Sequence, residues 1–391
     1  MTKENNKILG KNLADARNRH GYSMQDIADF IGVRRQYIHK IESGKDVSPL
    51  TDDNINIISE RLGVSPEYFF EERYISISSE KLHFRSVSIP NYIKERAKIY
   101  VEDVISVCSF VKDYISPLGL DFPKFDLDEK IHTDSIDTNS LCKNELERVS
   151  LEVREYLGLG FGPISNMVRV LETNGIIVTS KKDISDKVDA FCNDDYFPVV
   201  VRNENKSAVR CRFDLAHELG HLILHKGINN DVLENPFIEK QANYFASCFL
   251  LPRISFIKEF PPIIKGRIPW EKLLNIKYRW RVSLAALIKR AFDLELIKES
   301  IYRKAFILLT NKGWRTKEPG DSIYDQNYIE MEKPEVIRNA ITIVSNTHID
   351  MLPKMKSALN LSKELIKDIL GMHELEDKQF ELSVPSLHVV K

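Results

Sequence analysis

Long apolar runs and a strong excess of charge are both missing from this 391-residue sequence. It contains no stretch of about eighteen apolar residues, and residues 1–7 have no hydrophobic core of the kind that a secretory signal needs. The 56 Lys and Arg nearly balance the 57 Asp and Glu, which argues against a protein that binds nucleic acid or membrane over its whole surface. We expect a cytoplasmic protein that does not enter a membrane.

Cysteine is also scarce, with five residues and no Cys-x-x-Cys pair. An odd number without paired spacing is typical of reduced thiols. Cys211 and Cys248 flank the most interesting part of the chain, and we interpret both as small core residues rather than metal ligands or redox sensors. The length, with 43% apolar and 29% charged residues, predicts two or three globular domains.

The most specific chemical signal is the run His-Glu-Leu-Gly-His at residues 217–221. Positions i and i+4 of a helix share one face, so His217 and His221 can bind one metal ion together. Glu218 would then lie beside the ion, where it can take a proton from a water molecule. This arrangement is typical of a zinc-dependent hydrolase.

A catalytic zinc site needs a third protein ligand, and Glu239 is the best candidate. It lies on a predicted helix that ends before Pro252, with Ala242 and Ala246 on the same stripe. Small residues on that stripe would let the helix approach a neighbouring helix closely. The alternative is that Glu239 is a solvated surface charge. His225 shares the face of His221, either as an outer-shell or substrate-binding residue or as a helix cap.

The spacing of apolar residues predicts five short helical segments near the amino terminus. They span 8–20, 23–31, 34–43, 53–62 and 65–70. A turn at Gly32-Val33 joins the second and third segments, which is the arrangement of a helix-turn-helix. The third segment presents Arg34, Arg35, Gln36 and Lys40, and Arg and Gln are the residues that pair with guanine and adenine in the major groove.

Two known families resemble these regions. Residues 210–225, followed by Glu239, Ala242-Asn243, Phe245-Ala246 and Leu250-Leu251-Pro252, resemble the ImmA/IrrE family of metallopeptidases. Residues 175–176, 188–191 and 198–200 look like the strands that precede the motif helix in that family. The resemblance implies that His217, His221 and Glu239 are zinc ligands, that Glu218 is the general base, and that the substrate is a DNA-binding repressor. Gln241 departs from the pattern, since many members carry an acid there.

Residues 1–72 resemble the lambda-repressor-like (XRE) DNA-binding family. The resemblance implies that Arg34, Arg35 and Gln36 face base edges, and that Gln25 and Lys40 contact phosphate. Residues 1–70 hold ten basic and ten acidic residues, so sequence-independent attraction to phosphate should be modest. We therefore expect a homodimer on a two-fold operator of double-stranded DNA.

The predicted fold class is multidomain and mainly α, with one α+β domain. A lambda-repressor-like bundle (1–72) precedes a connector (73–142) that includes a helix over 92–116 and a polar linker over 121–140. A zincin-like α+β domain (143–255) and a helical carboxyl-terminal region (256–391) follow. The helices predicted over 333–372 could contact the substrate, the DNA-binding module or a second copy of the chain.

Together these signals favour a DNA-binding regulator whose zinc endopeptidase domain cleaves a repressor. One alternative is a regulator whose zinc domain senses a signal or binds a partner without cleavage. A second is an antitoxin that holds a toxin and represses its own promoter. Glu218 favours the enzyme, because a purely structural zinc site needs no base beside the metal.

Overall fold

The fold is known from a computed structural model. It describes residues 8–45, 48–73, 75, 90–114, 143–181, 190–193, 198–203, 205–225, 236–347 and 351–370. The polar linker predicted over 121–140 lies outside these residues, as does the extended stretch at 74–78 apart from Ile75. Contacts divide the chain into two compact units, one from residues 1–82, 88–119 and 335–391 and the other from 83–87 and 120–334. None of the described helices combines the length and apolar character that crossing a bilayer requires.

The first unit begins with the predicted helix-turn-helix bundle, and its elements are confirmed to within a few residues. They are α1 (Gly10–His20), α2 (Met24–Phe30), α3 (Arg35–Glu42), α4 (Asp52–Leu62) and a 3-10 turn (Pro66–Phe69). α3 starts one residue later than predicted, because Arg34 has an extended backbone and occupies the N-cap position. Gly21 and Gly63 cap the carboxyl ends of α1 and α4. Both have the left-handed conformation that glycine adopts without strain.

Close contacts hold α3 against α1. A Cβ added to Gly10 would lie 2.1 Å from the carbonyl oxygen of Ile41, so only glycine fits at this crossing. Arg17 donates from Nε and Nη2 to the two carboxylate oxygens of Glu42, at 2.7 and 2.9 Å. This bidentate pair, between a residue of α1 and one of α3, fixes the position of α3 in the bundle.

A long helix, α5 (Asn91–Lys112), packs against α1 in the same unit. It ends before Ser116, the limit predicted from the sequence. Arg19 of α1 donates to both carboxylate oxygens of Asp103 at 2.7 and 2.9 Å, and both side chains are buried. Arg73 contacts Asp103 at 2.8 Å and Glu102 at 2.6 Å. Buried charges therefore join α5 to the bundle.

The second unit contains a small sheet surrounded by helices. Its elements are α6 (Lys143–Tyr156), α7 (Met167–Thr173), β1 (Ile177–Lys181), β2 (Ala190–Asn193), β3 (Val199–Asn203), α8 (Ala208–Leu224), α9 (Pro236–Leu250), α10 (Arg253–Glu259), α11 (Trp270–Trp280), α12 (Leu284–Asp293) and α13 (Glu299–Asn311). The strand order is β1-β3-β2, with β1 parallel and β2 antiparallel to β3. α8 packs on β2, β3, α7 and α9, and α9 also packs on α6. The predicted combination of a mainly helical chain with one α+β region is confirmed.

Buried charges also tie the segment after α13 into the second unit. Lys277 is fully buried and donates to Glu318 at 2.7 Å. Arg212 of α8 forms a buried ion pair with Glu332, which also accepts a hydrogen bond from the backbone N–H of Met167 at 2.8 Å. The segment after α13 thus helps to hold the helices around the sheet.

Three final helices belong to the first unit: α14 (Val336–Thr347), α15 (Met351–Leu359) and α16 (Lys363–Ile369). All three pack on α5. The backbone N–H of Ser65 donates to the carbonyl of Asn360 at 3.0 Å, and the N–H of Ser362 donates to the carbonyl of Gly63 at 2.8 Å. The sequence left the contacts of this tail open. The structure pairs it with the end of the helix-turn-helix bundle.

Candidate functional site

Two histidines and one glutamate converge between α8 and α9. The Nε2 atoms of His217 and His221 lie 3.0 Å apart. Glu239 brings its carboxylate oxygens within 3.4 Å of Nε2 of His217 and 3.2 Å of Nε2 of His221. Among the His, Cys, Asp and Glu side chains of the described residues, these three form the group whose ligand atoms lie close enough together to hold one metal ion.

The spacing of these atoms fits a tetrahedral ion. Zinc–ligand bonds of about 2.0–2.1 Å place two ligand atoms of a tetrahedron about 3.3–3.4 Å apart. The three measured separations, 3.0, 3.2 and 3.4 Å, lie close to that value. Two imidazole nitrogens and one carboxylate oxygen are also a common donor set of catalytic zinc sites.

Small residues let the two helices approach closely enough to form this group. A Cβ added to Gly220 would lie 3.3 Å from Cα of Ala242 and 3.0 Å from Cδ1 of Phe245. Gly220 lies between the two histidines in the sequence, and Ala242 is one helical turn from Glu239. Asn243 donates from Nδ2 to the carbonyl of Glu239 at 2.7 Å within α9. The small-residue stripe predicted on α9 therefore lies at the closest part of the α8–α9 contact.

The electrostatics of the group favour an ionised carboxylate. Partial burial alone would raise the pKa of Glu239. Hydrogen bonds from His217 and His221, together with their positive charge when they are protonated, outweigh burial and hold that pKa well below its ordinary value. The carboxylate of Glu239 is 24% exposed, whereas His217 is fully buried. The group therefore holds a negative charge at the edge of a buried pair of imidazoles.

Glu218 lies directly after His217 on α8 and is buried, with 2% of its surface exposed. Glutamate is rarely buried to this extent, because removing a carboxyl group from water is costly. Its presence in the middle of this helix therefore calls for a role. The position of Glu218 beside the first histidine of the motif predicts that role to be proton transfer.

A second layer lies behind His221. Nδ1 of His225 lies 3.0 Å from Nδ1 of His221, and Nε2 of His225 lies 3.0 Å from Oε1 of Gln241. Burial, followed by the charge of His221, lowers the pKa of His225 well below its ordinary value. Gln241 is fully buried. Sequence reasoning singled out both residues but did not join them, because their pairing depends on how α8 and α9 are packed.

The predicted DNA-reading side chains lie on the outer face of α3 and its N-cap. Arg34, Arg35, Gln36 and Lys40 are exposed, whereas Ile38 is buried. Their polar groups therefore face outwards from the bundle on one short helix. This is the arrangement that a recognition helix needs in order to reach base edges and phosphates.

Gln25 is exposed near the start of α2, where Ser23 and Asp26 form a capping box. Its Nε2 donates to Oδ1 of Asp29 at 2.7 Å. The Gln25 side chain therefore lies along the surface of α2, which is the helix before the turn into α3.

The two cysteines that flank His217, His221 and Glu239 in the sequence are not part of this group. Cys211 and Cys248 are buried with 2% and 1% of their surface exposed. Burial raises the pKa of the Cys248 thiol, which keeps it protonated. Their interpretation as small core residues is confirmed.

Comparison with known families agrees with both regions. Residues 13–69 match the family described as Helix-turn-helix, and residues 171–292 match a peptidase family described as IrrE N-terminal-like domain. A comparison with curated proteins gives no match. The chain thus joins a DNA-binding helix-turn-helix domain of the XRE type to an IrrE-like domain with a metallopeptidase-type fold. The first match contains α2 and α3, and the second contains α8 and α9.

Proposed function

We propose that this protein is a DNA-binding transcriptional regulator with a zinc-dependent endopeptidase domain. The convergence of His217, His221 and Glu239 at 3.0–3.4 Å is the observation that carries the proposal. The match of residues 171–292 to the IrrE-like peptidase family supports it. We further propose that the protein acts in the cytoplasm, where its DNA partner is accessible.

His217, His221 and Glu239 would hold the zinc ion through two imidazole nitrogens and a carboxylate. Bound zinc would polarise the scissile carbonyl and lower the pKa of a water molecule towards neutrality. Glu239 would bind as a carboxylate, since a metal ligand must be deprotonated at working pH.

Glu218 would act as the general base. It lies in the same helical turn as His217, and its burial keeps bulk water from competing for its carboxylate. It would take the proton of the attacking water and later deliver it to the leaving amine of the cleaved peptide bond.

The proposed substrate is a repressor-type protein. The family resemblance supports this class, since ImmA/IrrE relatives cut DNA-binding repressors. The substrate could be a separate protein or the amino-terminal domain of this same chain. Cleavage would then change gene expression by removing a DNA-bound protein.

The helix-turn-helix domain would read an operator. Arg34, Arg35 and Gln36 would contact base edges, and Gln25 and Lys40 would contact phosphate. The equal numbers of basic and acidic residues in 1–70 support binding as a homodimer, because one module alone attracts phosphate only modestly.

The Glu218→Gln variant tests the endopeptidase proposal. Gln keeps the size of Glu and most of its hydrogen bonding but cannot accept a proton as a carboxylate does. Cleavage of a co-encoded repressor, followed by gel and mass spectrometry, should fall by several orders of magnitude. Zinc content, thermal unfolding and operator binding should stay at the wild-type level. Glu152→Gln, at an exposed residue of α6, is the matched control and should cleave normally.

Regulation in cells separates the proposal from its alternatives. If Glu218→Gln disturbs regulation as a deletion does, proteolysis carries the function. If Glu218→Gln regulates normally while His217→Ala does not, zinc has a sensing or structural role and the endopeptidase proposal is wrong.

A further inference from the structure

His221 is the start of a hydrogen-bonded chain that leads away from the group formed by His217, His221 and Glu239. Its Nε2 faces His217 and Glu239, at 3.0 and 3.2 Å. Its other ring nitrogen, Nδ1, lies 3.0 Å from Nδ1 of His225, and the chain continues from Nε2 of His225 to Oε1 of Gln241, also at 3.0 Å. All members of this chain are buried except the carboxylate of Glu239.

The end of the chain sets the direction of every hydrogen bond in it. The carbonyl oxygen of Gln241 can only accept, so Nε2 of His225 must donate to it. A buried imidazole without a carboxylate partner is neutral and has one N–H, which leaves Nδ1 of His225 as an acceptor. Nδ1 of His221 must therefore donate. This leaves Nε2, which faces His217 and Glu239, as the nitrogen of His221 that can bind a metal ion.

We propose that His225 and Gln241 are positioning residues, which hold His221 in the one tautomer and ring orientation that can bind a metal ion through Nε2. This inference rests on the zinc site of the proposed function and extends it to two residues that would not bind the metal ion themselves. Partners that bind the second nitrogen of a metal-binding histidine fix its tautomer in the same way at other zinc sites.

One feature of Gln241 argues against a purely structural role. The residue is fully buried, and its Nε2 has no hydrogen-bond partner among the described residues. Such a group costs stability, so an apolar residue would pack better if only packing mattered. The amide oxygen accepts the hydrogen bond from His225, and this contact explains why a glutamine occupies a buried position.

The other histidine of the group provides a contrast. Nδ1 of His217 is buried and has no hydrogen-bond partner in the part of the chain that the structure describes. The second ring nitrogen of His217 therefore lacks the polar support that His225 gives to the second ring nitrogen of His221. Loss of the chain should affect His221 alone.

The test compares zinc affinity in full-length variants by competition with a chelator. His225→Phe keeps an aromatic ring but removes the acceptor, and should weaken zinc binding about 10- to 100-fold. His225→Asn returns an acceptor oxygen near the position of Nδ1, and should recover most of the affinity of the wild type. Gln241→Leu removes the acceptor for His225 and should also bind zinc more weakly than the wild type. Zinc affinity in His225→Phe equal to that of the wild type would overturn the inference.

Imidazole nitrogen chemical shifts, measured by NMR with labelled histidine, give a second readout in the metal-free protein. The wild type should show a proton on Nδ1 of His221, whereas His225→Phe should show this nitrogen only partly protonated. If the wild type binds no zinc, the proposed function fails, and the proton on Nδ1 still decides this inference. A partly protonated Nδ1 of His221 in the wild type contradicts it. If His225→Phe does not fold, the comparison of Gln241→Leu with the wild type provides the same test.

Discussion

Helix α3, which carries the proposed DNA contacts, and helix α8, which carries two of the proposed metal ligands, place their polar residues in opposite environments. Arg35, Gln36 and Lys40 of α3 are exposed, and only the apolar side of the helix is buried. On α8, His217 and Glu218 are buried along with most of the helix. An exposed side chain can change its rotamer when its partner arrives. A buried one must be oriented beforehand by its neighbours.

The two helices should therefore respond differently to substitution. Substitutions on the outer face of α3 should alter binding and leave folding intact, because these side chains lie outside the packed interior. Substitutions on α8 or behind it should alter both the site and the stability of its unit. Variants in each unit test this contrast between exposed and buried side chains.

The largest expected effects come from buried charges. Lys277→Met leaves Glu318 buried without its cation and should lower the free energy of unfolding by about 4 kcal/mol. Arg19→Met should cost about 3 kcal/mol, at the lower end for a broken buried pair, because Arg73 still contacts Asp103. Denaturant unfolding with hydrogen exchange should assign the first effect to the second unit and the second effect to the first.

The exposed pair of Arg303 with Glu299 supplies the control for these two variants. Arg303→Met should change the free energy of unfolding by less than about 0.5 kcal/mol. A decrease as large as that of Lys277→Met would mean that burial does not decide the energetic role of these ion pairs.

The next effects concern the two glycines at helix crossings. Gly10→Ala would place a Cβ 2.1 Å from the backbone oxygen of Ile41, so α1 and α3 must separate, at about 2–3 kcal/mol. Gly220→Ala would meet a side-chain atom of Phe245 at 3.0 Å, and should cost about 1 kcal/mol. Thermal unfolding should rank them in this order. The reverse order would show that the α8–α9 contact is the tighter one.

Smaller effects are expected at the DNA-binding face. Arg34→Ala and Arg35→Ala each remove a guanidinium that would pair with a base, and each should cost roughly 1–3 kcal/mol of operator binding and relax specificity at one base pair. Lys40→Ala should weaken binding evenly across sequences and reduce the salt dependence by about one phosphate. Titrations at several salt concentrations measure both effects. Unchanged operator binding in the double Arg variant would place recognition outside α3.

A small effect on stability tests how the tail joins the DNA-binding bundle. Asn360 has a positive φ of 55°, donates to Glu71 at 2.8 Å and accepts from Ser65 at 2.9 Å. Asn360→Ala should cost about 1 kcal/mol, and Asn360→Gly less, because glycine tolerates the backbone conformation. Equal stability of all three proteins in thermal unfolding would show that this junction is not a stabilising contact.

Local sequence patterns predicted the elements of the helix-turn-helix well. The ends of α1 and α4 followed from Gly21 and Gly63, and the start of α2 followed from Ser23, since capping depends on a few neighbouring residues. The convergence of His217 and His221 also follows from spacing on one helix. Glu239 required a further argument from the small residues of α9.

Long-range pairings could not be predicted in the same way. The association of α14–α16 with α5 joins segments more than two hundred residues apart, and no local pattern marks it. The hydrogen bond between His225 and Gln241 likewise depends on the packing of α8 on α9. In the sequence, Gln241 stands out only as a departure from a family pattern.

The zinc content of the purified full-length protein is the most direct test of the proposed zinc site. His217, His221 and Glu239 are expected to hold one zinc ion per chain, so elemental analysis should find about one equivalent in the wild type. The double variant His221→Ala, Glu239→Ala should contain none, and His39→Ala, at an exposed histidine of α3, should contain about one. Full zinc occupancy in the double variant would contradict the assignment of this metal centre.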